Sequence, residues 1–354
     1  MSGTYCPATG GAEISIHTFL REAKRNGNGV MVLTDEDRLN NLGIREYEGI
    51  PLKGTYHRDR KKNLEKTINE FKPTLIISQL MWSDVCLETA LDHGVPSVLR
   101  VCKVPFCLDI STKSEFSPTS IMVVSDFVKT YVKDNWNMDS YVIRPPIDPS
   151  FVYNPNTPKS REYITMFNPN AKKGGKIFYE LARKNPNRQF AIVKGWDILK
   201  QGGIISSESL YRMRESLRIP DSKHPIECIN FDDLENVTLL PPSRNVFTIY
   251  DKTKILCVPS QWEETFGRVV IEGMMNRIPV IGSMVGGMKE QVQNGGLPIT
   301  DFSNIGSWND AITSLDDEST YQYFADKGRR YVDQCYDLPS IFHNFMSMLG
   351  ETVK

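Results

Sequence analysis

Two strand–loop–helix units follow one another between residues 254 and 290, and both of their loops contain glycine. In the first unit, a strand over residues 254–258 leads through a polar turn to Gly267 and a helix. In the second unit, a strand over residues 278–281 leads to Gly286, Gly287 and another helix. A helix N-terminus presents backbone N–H groups without intrahelical partners and the positive end of the helix dipole. The pattern therefore predicts a binding site for an anion such as phosphate.

Two glutamates accompany the first of these units. Glu264 lies in the polar turn, and Glu272 lies in the first turns of the helix, eight residues further on. An ionised carboxylate accepts hydrogen bonds from two adjacent hydroxyl groups. Phosphate next to carboxylates that bind hydroxyls favours a sugar nucleotide as the ligand.

The composition argues against several other classes of protein. A net charge of −1 gives no indication of nucleic-acid binding, and 40% apolar residues is typical of a globular protein. The seven cysteines contain no C-x-x-C pair, which argues against a disulfide framework or a zinc site and favours a reducing compartment. The five histidines match no metal-ligand spacing. Because no apolar run is long enough to cross a bilayer, we expect a cytoplasmic protein.

Short β-rich runs alternate with amphipathic helical segments along both halves of the chain, which is typical of α/β proteins with parallel sheets. The length of 354 residues predicts two domains. We place these over residues 1–147 and 148–336, followed by a C-terminal helix over 337–354 that returns to the first domain. The predicted strands are 30–34, 74–78, 97–101, 121–124, 140–143, 163–167, 190–193, 238–240, 255–258 and 279–281. Residues 194–236 form a polar insertion with one predicted helix over 207–218.

A glycine-bearing loop over residues 7–13, which contains Gly10 and Gly11, resembles the first strand-to-helix turn of a Rossmann-type domain. Only six residues precede it, where a buried central strand is expected. Either these residues form a short strand or the polypeptide begins further upstream, and the second interpretation is favoured. The first central strand is therefore predicted to be short or missing.

The string Glu264-Thr265-Phe266-Gly267, with Glu272 eight residues after Glu264, resembles the E-x7-E motif of the retaining glycosyltransferases of family 4. The residues that follow, Ile-Pro-Val-Ile-Gly-Ser over 278–283 and then Gly286-Gly287, match that family as well. The resemblance implies the GT-B fold, in which two Rossmann-like domains face each other across a cleft. It also implies that a sugar moves from a nucleoside-diphosphate sugar to a hydroxyl of a glycan, a lipid-linked acceptor or a small molecule, with retained configuration.

The resemblance implies a role for individual residues too. Glu264 would bind a sugar hydroxyl, and Glu272 would bind the ribose hydroxyls of the nucleotide. Lys173, Arg268 and the backbone around Thr265, Phe266 and Gly267 would stabilise the departing phosphate without a metal or another cofactor. Asn168 would also contact the donor, and Gly10 and Gly11 would approach the phosphates or the acceptor. Acceptor-binding loops are expected at 40–59 and 103–117.

Two departures from the family pattern leave alternatives open. Asn168 stands where many members have an arginine, and Arg100-Val101-Cys102-Lys103 contains no histidine where many members have one. A non-catalytic sugar-nucleotide-binding protein and a sugar-nucleotide epimerase therefore remain alternatives. A nicotinamide-dependent dehydrogenase is a weaker one, because the loop at Gly10 and Gly11 lacks the G-x-G-x-x-G spacing.

Several of the residues also have a plainer interpretation. For Arg268 it is a pair with an acid such as Glu264. Ser125 is interpreted as the N-cap of a helix, and His17 as a residue that packs on the helix surface. Both interpretations are preferred over a functional role. The acidic run at 35–37 is expected to be a loop or a helix start. The basic run at 57–62 predicts a solvated loop, with peripheral contact to anionic lipid as the alternative.

Overall fold

The computed structural model describes residues 5, 10–104, 117–156, 159–193, 229–243 and 245–354. Contacts divide the chain into two compact units. Unit 1 comprises Met1–Pro146 and Asp337–Lys354, and unit 2 comprises Ile147–Tyr336. The predicted helix over 207–218, the loop residues 7–9 and most of the predicted acceptor loop over 103–117 lie outside the described residues.

Strands and helices are numbered here in chain order over the described residues. The strands are β1 (Val32–Asp35), β2 (Glu46–Tyr47), β3 (Ile50–Thr55), β4 (Ile76–Gln79), β5 (Ser97–Val101), β6 (Ser120–Val123), β7 (Tyr141–Val142), β8 (Tyr163–Phe167), β9 (Phe190–Val193), β10 (Val237–Leu240), β11 (Thr253–Val258), β12 (Val280–Ser283) and β13 (Leu297–Ile299). The helices are α1 (Gly11–Arg25), α2 (Glu36–Leu42), α3 (Arg60–Phe71), α4 (Ser83–Asp92), α5 (Asp126–Trp136), α6 (Pro149–Val152), α7 (Gly175–Lys184), α8 (Phe247–Tyr250), α9 (Arg268–Met275), α10 (Met288–Gly295), α11 (Ile305–Ser314), α12 (Glu318–Cys335) and α13 (Leu338–Val353).

The strands of unit 1 form two sheets in the part of the chain that is described. One has the order β1-β3-β2, with β1 parallel and β2 antiparallel to β3. The other has the order β4-β5-β6-β7 and is fully parallel. An apolar cavity of about 550 Å³ is lined by residues of β1, β4, α3 and α13. Because most residues before Gly10 are not described, the prediction of a short or missing first strand stays a prediction.

A hairpin in unit 1 corrects the expectation that residues 40–59 form a loop, while their contact with an acceptor stays a prediction. That segment contains β2 and β3, joined by the two residues Glu48 and Gly49. Both of them have positive φ, at 48° and 82°, as a tight hairpin turn with the sheet's natural twist requires. Ile50 and Leu52 are buried on one face of β3. Pro51 obscured this alternation in the sequence, because proline argues against a central strand.

Several local predictions for unit 1 are confirmed. Ser125 is the N-cap of α5, and its Oγ accepts a hydrogen bond of 3.3 Å from the N–H of Val128. The acidic run begins a helix, since β1 ends at Asp35 and α2 follows directly. His17 is buried on α1, where its Nδ1 lies 2.6 Å from the hydroxyl of Tyr5 and its Nε2 lies 3.0 Å from Glu48.

The C-terminal helix α13 packs within unit 1. Asp337 caps its first turn by accepting a hydrogen bond of 3.0 Å from the N–H of Ser340, and a proline stands near its start. Phe345 of α13 stacks on Phe19 of α1, with ring centroids 4.2 Å apart. Among the residues described, no helix combines the length and the apolar character that crossing a membrane requires.

Unit 2 is built on one six-stranded, fully parallel sheet with the order β10-β9-β8-β11-β12-β13. The inner strand β9 is a continuous, fully buried apolar run, as expected for a parallel strand that is covered on both faces. Phe178, Phe190 and Trp308 are fully buried in the core on one side of the sheet. Chain order along the sheet reverses between β8 and β11, which is where ligands bind in open parallel sheets, beyond the carboxyl ends of the strands.

Candidate functional site

Two loops at this reversal point carry the charged residues that the sequence singled out. One follows β8 and contains Lys173, and the other follows β11 and contains Glu264. The backbones of the two loops are joined, since the N–H of Gln261 donates to the carbonyl of Lys172 at 2.8 Å. Within the first loop, the N–H of Lys173 donates to Oδ1 of Asn170 at 3.0 Å.

Gly174 explains how the two loops come so close. Its φ is +85°, and a Cβ added there would lie 1.9 Å from the carbonyl oxygen of Pro259. A side chain at this position would therefore push the loops apart as well as strain the backbone. The glycine after Lys173 thus fixes the position of Lys173 relative to the loop that holds Glu264.

Lys173 and Glu264 are in direct contact. Nζ of Lys173 donates a hydrogen bond to Oε1 of Glu264, and Oγ of Ser260 donates to the same oxygen at 2.7 Å. The Glu264 residue is 9% exposed. Among the described residues, no group hydrogen-bonds to Oε2, so this oxygen keeps its lone pairs for a ligand hydroxyl. An ammonium group and a carboxylate thus lie together at the reversal point.

A second carboxylate belongs to helix α9, which starts after the Glu264 loop. The hydroxyl of Tyr250 donates to Oε2 of Glu272 at 2.9 Å, and a guanidinium nitrogen of Arg268 lies 3.3 Å from Oε1. Arg268 therefore pairs with Glu272, one turn further along the helix, which confirms the interpretation of a pair with a neighbouring acid. Burial, followed by the nearby charge of Glu272, raises the pKa of Tyr250 well above its usual value, so the phenol stays a donor.

The start of α9 has the form that the sequence predicts. Gly267 precedes the helix with a φ of +87°, and the first N–H groups of a helix have no intrahelical partners. The Phe266 side chain is buried against Tyr336, with ring centroids 5.9 Å apart, so only its backbone is available to a ligand. Thr265 is half-buried beside it.

The second glycine loop differs from the expectation that it forms half of the phosphate site. The N–H of Gly287 donates to the carbonyl of Glu264 at 2.6 Å, and that of Met288 donates to Val285 at 3.1 Å. A Cβ on Gly286 would lie 2.3 Å from the Glu264 carbonyl oxygen. Gly286 allows close approach to the Glu264 backbone, and Gly287 uses its N–H group there. The loop therefore supports Glu264, which the spacing of glycines alone does not show.

Asn168, Gly10 and Gly11 complete the set of predicted site residues. Asn168 directly follows β8 with a φ of +56°, and its N–H donates to the carbonyl of Val193 at 2.9 Å. It is neutral, so the loop has no second cation at this position. Gly10 and Gly11 lie in unit 1, where Gly10 is the N-cap of α1 and Gly11 is its first residue. A Cβ on Gly10 would meet only the flexible end of Glu13, so packing within the described part of unit 1 does not demand glycine.

Three residues of the site were not predicted from the sequence. Ser260 donates to Glu264, Asn170 fixes the Lys173 backbone, and Tyr250 donates to Glu272. Tyr250 lies on the apolar segment Phe247–Tyr250, where an aromatic residue predicts core packing. Ser260 directly follows the Val-Pro end of β11, and this position was the one available signal. No three His, Cys, Asp or Glu side chains within the described ranges are grouped as metal ligands would be.

Comparison with known proteins agrees with the resemblance to glycosyltransferases that the sequence motifs indicate. Residues 227–331 match the family model "Glycosyl transferases group 1". A D-inositol 3-phosphate glycosyltransferase of Mycobacterium leprae is 28% identical over 146 residues, which are 40% of this chain and 30% of that relative. The chain thus covers less than a third of the length of this curated relative.

Two solved structures are similar over nearly the whole chain. A glycosyltransferase of Rickettsia africae has a TM-score of 0.75 at 15% identity and covers 100% of this chain and 98% of its own. Anabaena HepE, in complex with UDP and glucose, has a TM-score of 0.75 at 15% identity over 99% of this chain and 98% of its own. These likenesses define the fold class as GT-B, as predicted. Within that fold, residues 227–331 carry a group 1 glycosyl transferase domain.

Proposed function

We propose that this protein is a glycosyltransferase that moves a sugar from a nucleoside-diphosphate sugar to an acceptor hydroxyl. The observation that carries the proposal is the contact between Lys173 and Glu264 where chain order reverses in the unit 2 sheet. Cleavage of the bond between sugar and phosphate places negative charge on the departing phosphate, and fixed positive groups stabilise that charge. In our proposal the Lys173 ammonium meets the phosphate, and Glu264 accepts hydrogen bonds from the transferred sugar.

The remaining groups bind the nucleotide in this proposal. Glu272 accepts hydrogen bonds from the two ribose hydroxyls, for which a carboxylate is suited because its two oxygens match two adjacent donors. Backbone N–H groups at the start of α9 and the side chain of Arg268 add positive potential near the diphosphate. Asn168, the residue after β8, lies at the same edge of the sheet and would contact the donor.

UDP is the first nucleotide to test, because HepE was solved with UDP and with UDP-glucose. D-Inositol 3-phosphate is the first acceptor to test, because the Mycobacterium leprae relative is named as a D-inositol 3-phosphate glycosyltransferase. Retention of the anomeric configuration is part of the proposal through the resemblance to family 4. Independence from a metal ion follows if Lys173, Arg268 and the helix N–H groups carry the charge of the leaving diphosphate.

A second candidate is a protein that binds a sugar nucleotide without turning it over. Asn168 favours it, because a neutral amide stands where a further cation would strengthen stabilisation of the leaving phosphate. The epimerase alternative would instead release a changed sugar nucleotide in the absence of an acceptor.

One experiment separates these functions. Nucleoside diphosphates are first ranked by the thermal shift they produce, and the sugar nucleotides of the best binder are then incubated with a panel of acceptors including D-inositol 3-phosphate. Mass spectrometry should detect an acceptor heavier by one sugar and an equal amount of nucleoside diphosphate. Binding without transfer or donor hydrolysis across the panel would contradict the transferase proposal, and a sugar nucleotide of altered configuration would indicate the epimerase.

A further inference from the structure

Tyr250 lies outside every sequence motif of the site, yet it contacts one of its carboxylates. The residue is fully buried at the end of α8, just before β11 begins. Its hydroxyl donates to Oε2 of Glu272 at 2.9 Å. A buried tyrosine hydroxyl needs a hydrogen-bond partner, and here that partner is a carboxylate that the sequence already places in the candidate site.

The environment of Glu272 shows what this contact does. One carboxylate oxygen faces Tyr250 and the other faces Arg268, so the two oxygens are held by partners of different chemistry. The phenol accounts for one lone pair of Oε2, and a carboxylate offers about four acceptor positions in all. The carboxylate plane is therefore fixed while acceptor positions remain for a ligand.

Packing keeps the phenol itself in place. The Tyr250 ring lies against Phe167, the last residue of β8, with centroids 5.5 Å apart. Phe167 immediately precedes Asn168, which is the first residue of the loop that leads to Lys173. Tyr250 thus contacts both the strand end before the Lys173 loop and the carboxylate of α9.

We propose that Tyr250 is a positioning residue that holds the Glu272 carboxylate in the orientation that binds the ribose of the donor nucleotide. The inference rests on the proposed function, because it takes Glu272 as the ribose-binding group. It predicts that the hydroxyl of Tyr250 contributes to nucleotide affinity only through Glu272. Transfer of the sugar, once the donor is bound, does not depend on it.

Substitution Tyr250→Phe tests this, because it keeps the ring against Phe167 and removes only the hydroxyl. Isothermal titration with the nucleoside diphosphate that binds the wild type best should show about tenfold weaker binding, as expected for loss of one hydrogen bond to a charged group. The KM for the donor should rise by a similar factor, with kcat within about twofold of the wild type. Tyr321→Phe is the matched control, since its hydroxyl donates to the Lys254 carbonyl at 3.0 Å, and its affinity should be unchanged.

A double-mutant cycle decides whether Tyr250 acts through Glu272. In the Glu272→Ala background, Tyr250→Phe should have no further effect on affinity. Equal affinity of the wild type and Tyr250→Phe, or a full additional loss in the Glu272→Ala background, would overturn the inference. A wild type that binds none of the nucleoside diphosphates would instead refute the proposed function itself, so the two failures are distinguishable.

Discussion

Lys173 and Glu264 are 91 residues apart in sequence and form an ion pair between the loops that follow β8 and β11. Ser260 donates to the same carboxylate oxygen, and Gly174 allows the two loops to touch. The pair places a cation suited to phosphate beside an acceptor suited to sugar hydroxyls. In our account, the donor's phosphate replaces Glu264 as the partner of the Lys173 ammonium when the nucleotide sugar binds.

Removal of the Lys173 ammonium should slow transfer much more than it weakens binding. We expect Lys173→Ala to reduce kcat by about 100-fold, because one fixed group that stabilises transition-state charge contributes about 3 kcal/mol. Lys172→Ala is the matched control. Lys172 is an exposed neighbour whose Nζ lies 5.2 Å from the centre of the Trp262 ring, and its loss should change kcat by less than about threefold. Similar kcat values for the two variants would contradict the role of Lys173.

Substitution of Glu272 should mainly weaken nucleotide binding, whereas substitution of Glu264 should mainly lower kcat. We expect Glu272→Ala to weaken nucleoside-diphosphate binding by about tenfold or more, since it removes the acceptor for the ribose hydroxyls. Glu264→Ala should lower kcat by about 10- to 100-fold while nucleotide affinity stays within about threefold, because its partner is the sugar. Titration calorimetry and steady-state rates measure the two quantities. Glu263→Ala, on the exposed neighbour in the same turn, is the control, and equal effects of Glu264→Ala and Glu272→Ala would refute the assignment.

Gly174 should be intolerant of any side chain. We expect Gly174→Ala to destabilise unit 2 by about 2 kcal/mol or more, because the new Cβ would meet the Pro259 carbonyl at a position that already has positive φ. Displacement of the Lys173 loop should lower kcat as well. Gly27→Ala is a control that measures only the cost of placing a side chain on a residue with positive φ. Gly27 has a φ of +82°, and nothing lies within 4 Å of the added carbon. Thermal unfolding and rate measurements should show a clearly larger effect for Gly174→Ala.

Much of unit 2 could be predicted from local sequence. The strand at Phe190–Val193 is a continuous apolar run and the strand at Tyr163–Phe167 is apolar except for Thr165, and the structure confirms both over the predicted residues. The turn at Gly267 and the helix that follows it were also predicted correctly. These features depend on backbone preferences and on the burial of short segments, and both can be predicted from the local sequence pattern.

Contacts between loops that are distant in sequence could not be predicted in this way. Nothing in the spacing of Gly286 and Gly287 indicates that Gly287 donates to the carbonyl of Glu264, because the donor and acceptor belong to different strand–helix units. Tyr250 escaped prediction for a similar reason, since it contacts Glu272 on another helix, whereas Ser260 contacts Glu264 within one loop whose conformation the sequence alone does not define. In unit 1, the strand at Ile50–Thr55 was missed because Pro51 masks a real alternation of buried residues.

Chelation of divalent metal ions should leave the activity intact. If Lys173, Arg268 and the N–H groups at the start of α9 neutralise the leaving diphosphate, then 10-fold excess EDTA over any added metal should change the transfer rate by less than about twofold. A metal-dependent transferase assayed in the same buffer is the control that shows chelation is complete. Loss of activity with EDTA and recovery with Mg²⁺ or Mn²⁺ would show that a metal carries this charge.

A surface ion pair in unit 2 predicts a pH-dependent difference in stability. Arg188 binds Asp316 through two hydrogen bonds of 2.8 and 2.5 Å, and these bonds lower the pKa of Asp316. A carboxyl with a lowered folded-state pKa stabilises the protein above its unfolded-state pKa, and this contribution is lost as pH falls through the folded-state value. Arg188→Ala should therefore be less stable than the wild type by about 0.5–1 kcal/mol at pH 7, as is usual for exposed pairs.

The same difference should shrink as the pH falls below about 4, where Asp316 becomes protonated in the unfolded chain and then in the folded one. Thermal melts of the wild type, Arg188→Ala and Asp316→Asn across this pH range measure it. The double variant should be no less stable than either single variant. A stability difference that persists unchanged at acidic pH would show that Arg188 acts through packing.

The most direct test of the central claim is a crystal structure of the protein with its best-binding nucleoside diphosphate. We expect the ribose hydroxyls to lie within hydrogen-bonding distance of the Glu272 carboxylate and Nζ of Lys173 to contact the diphosphate. A nucleotide bound away from the carboxyl ends of β8 and β11, with Lys173 still paired to Glu264 and Glu272 touching no ribose oxygen, would contradict it.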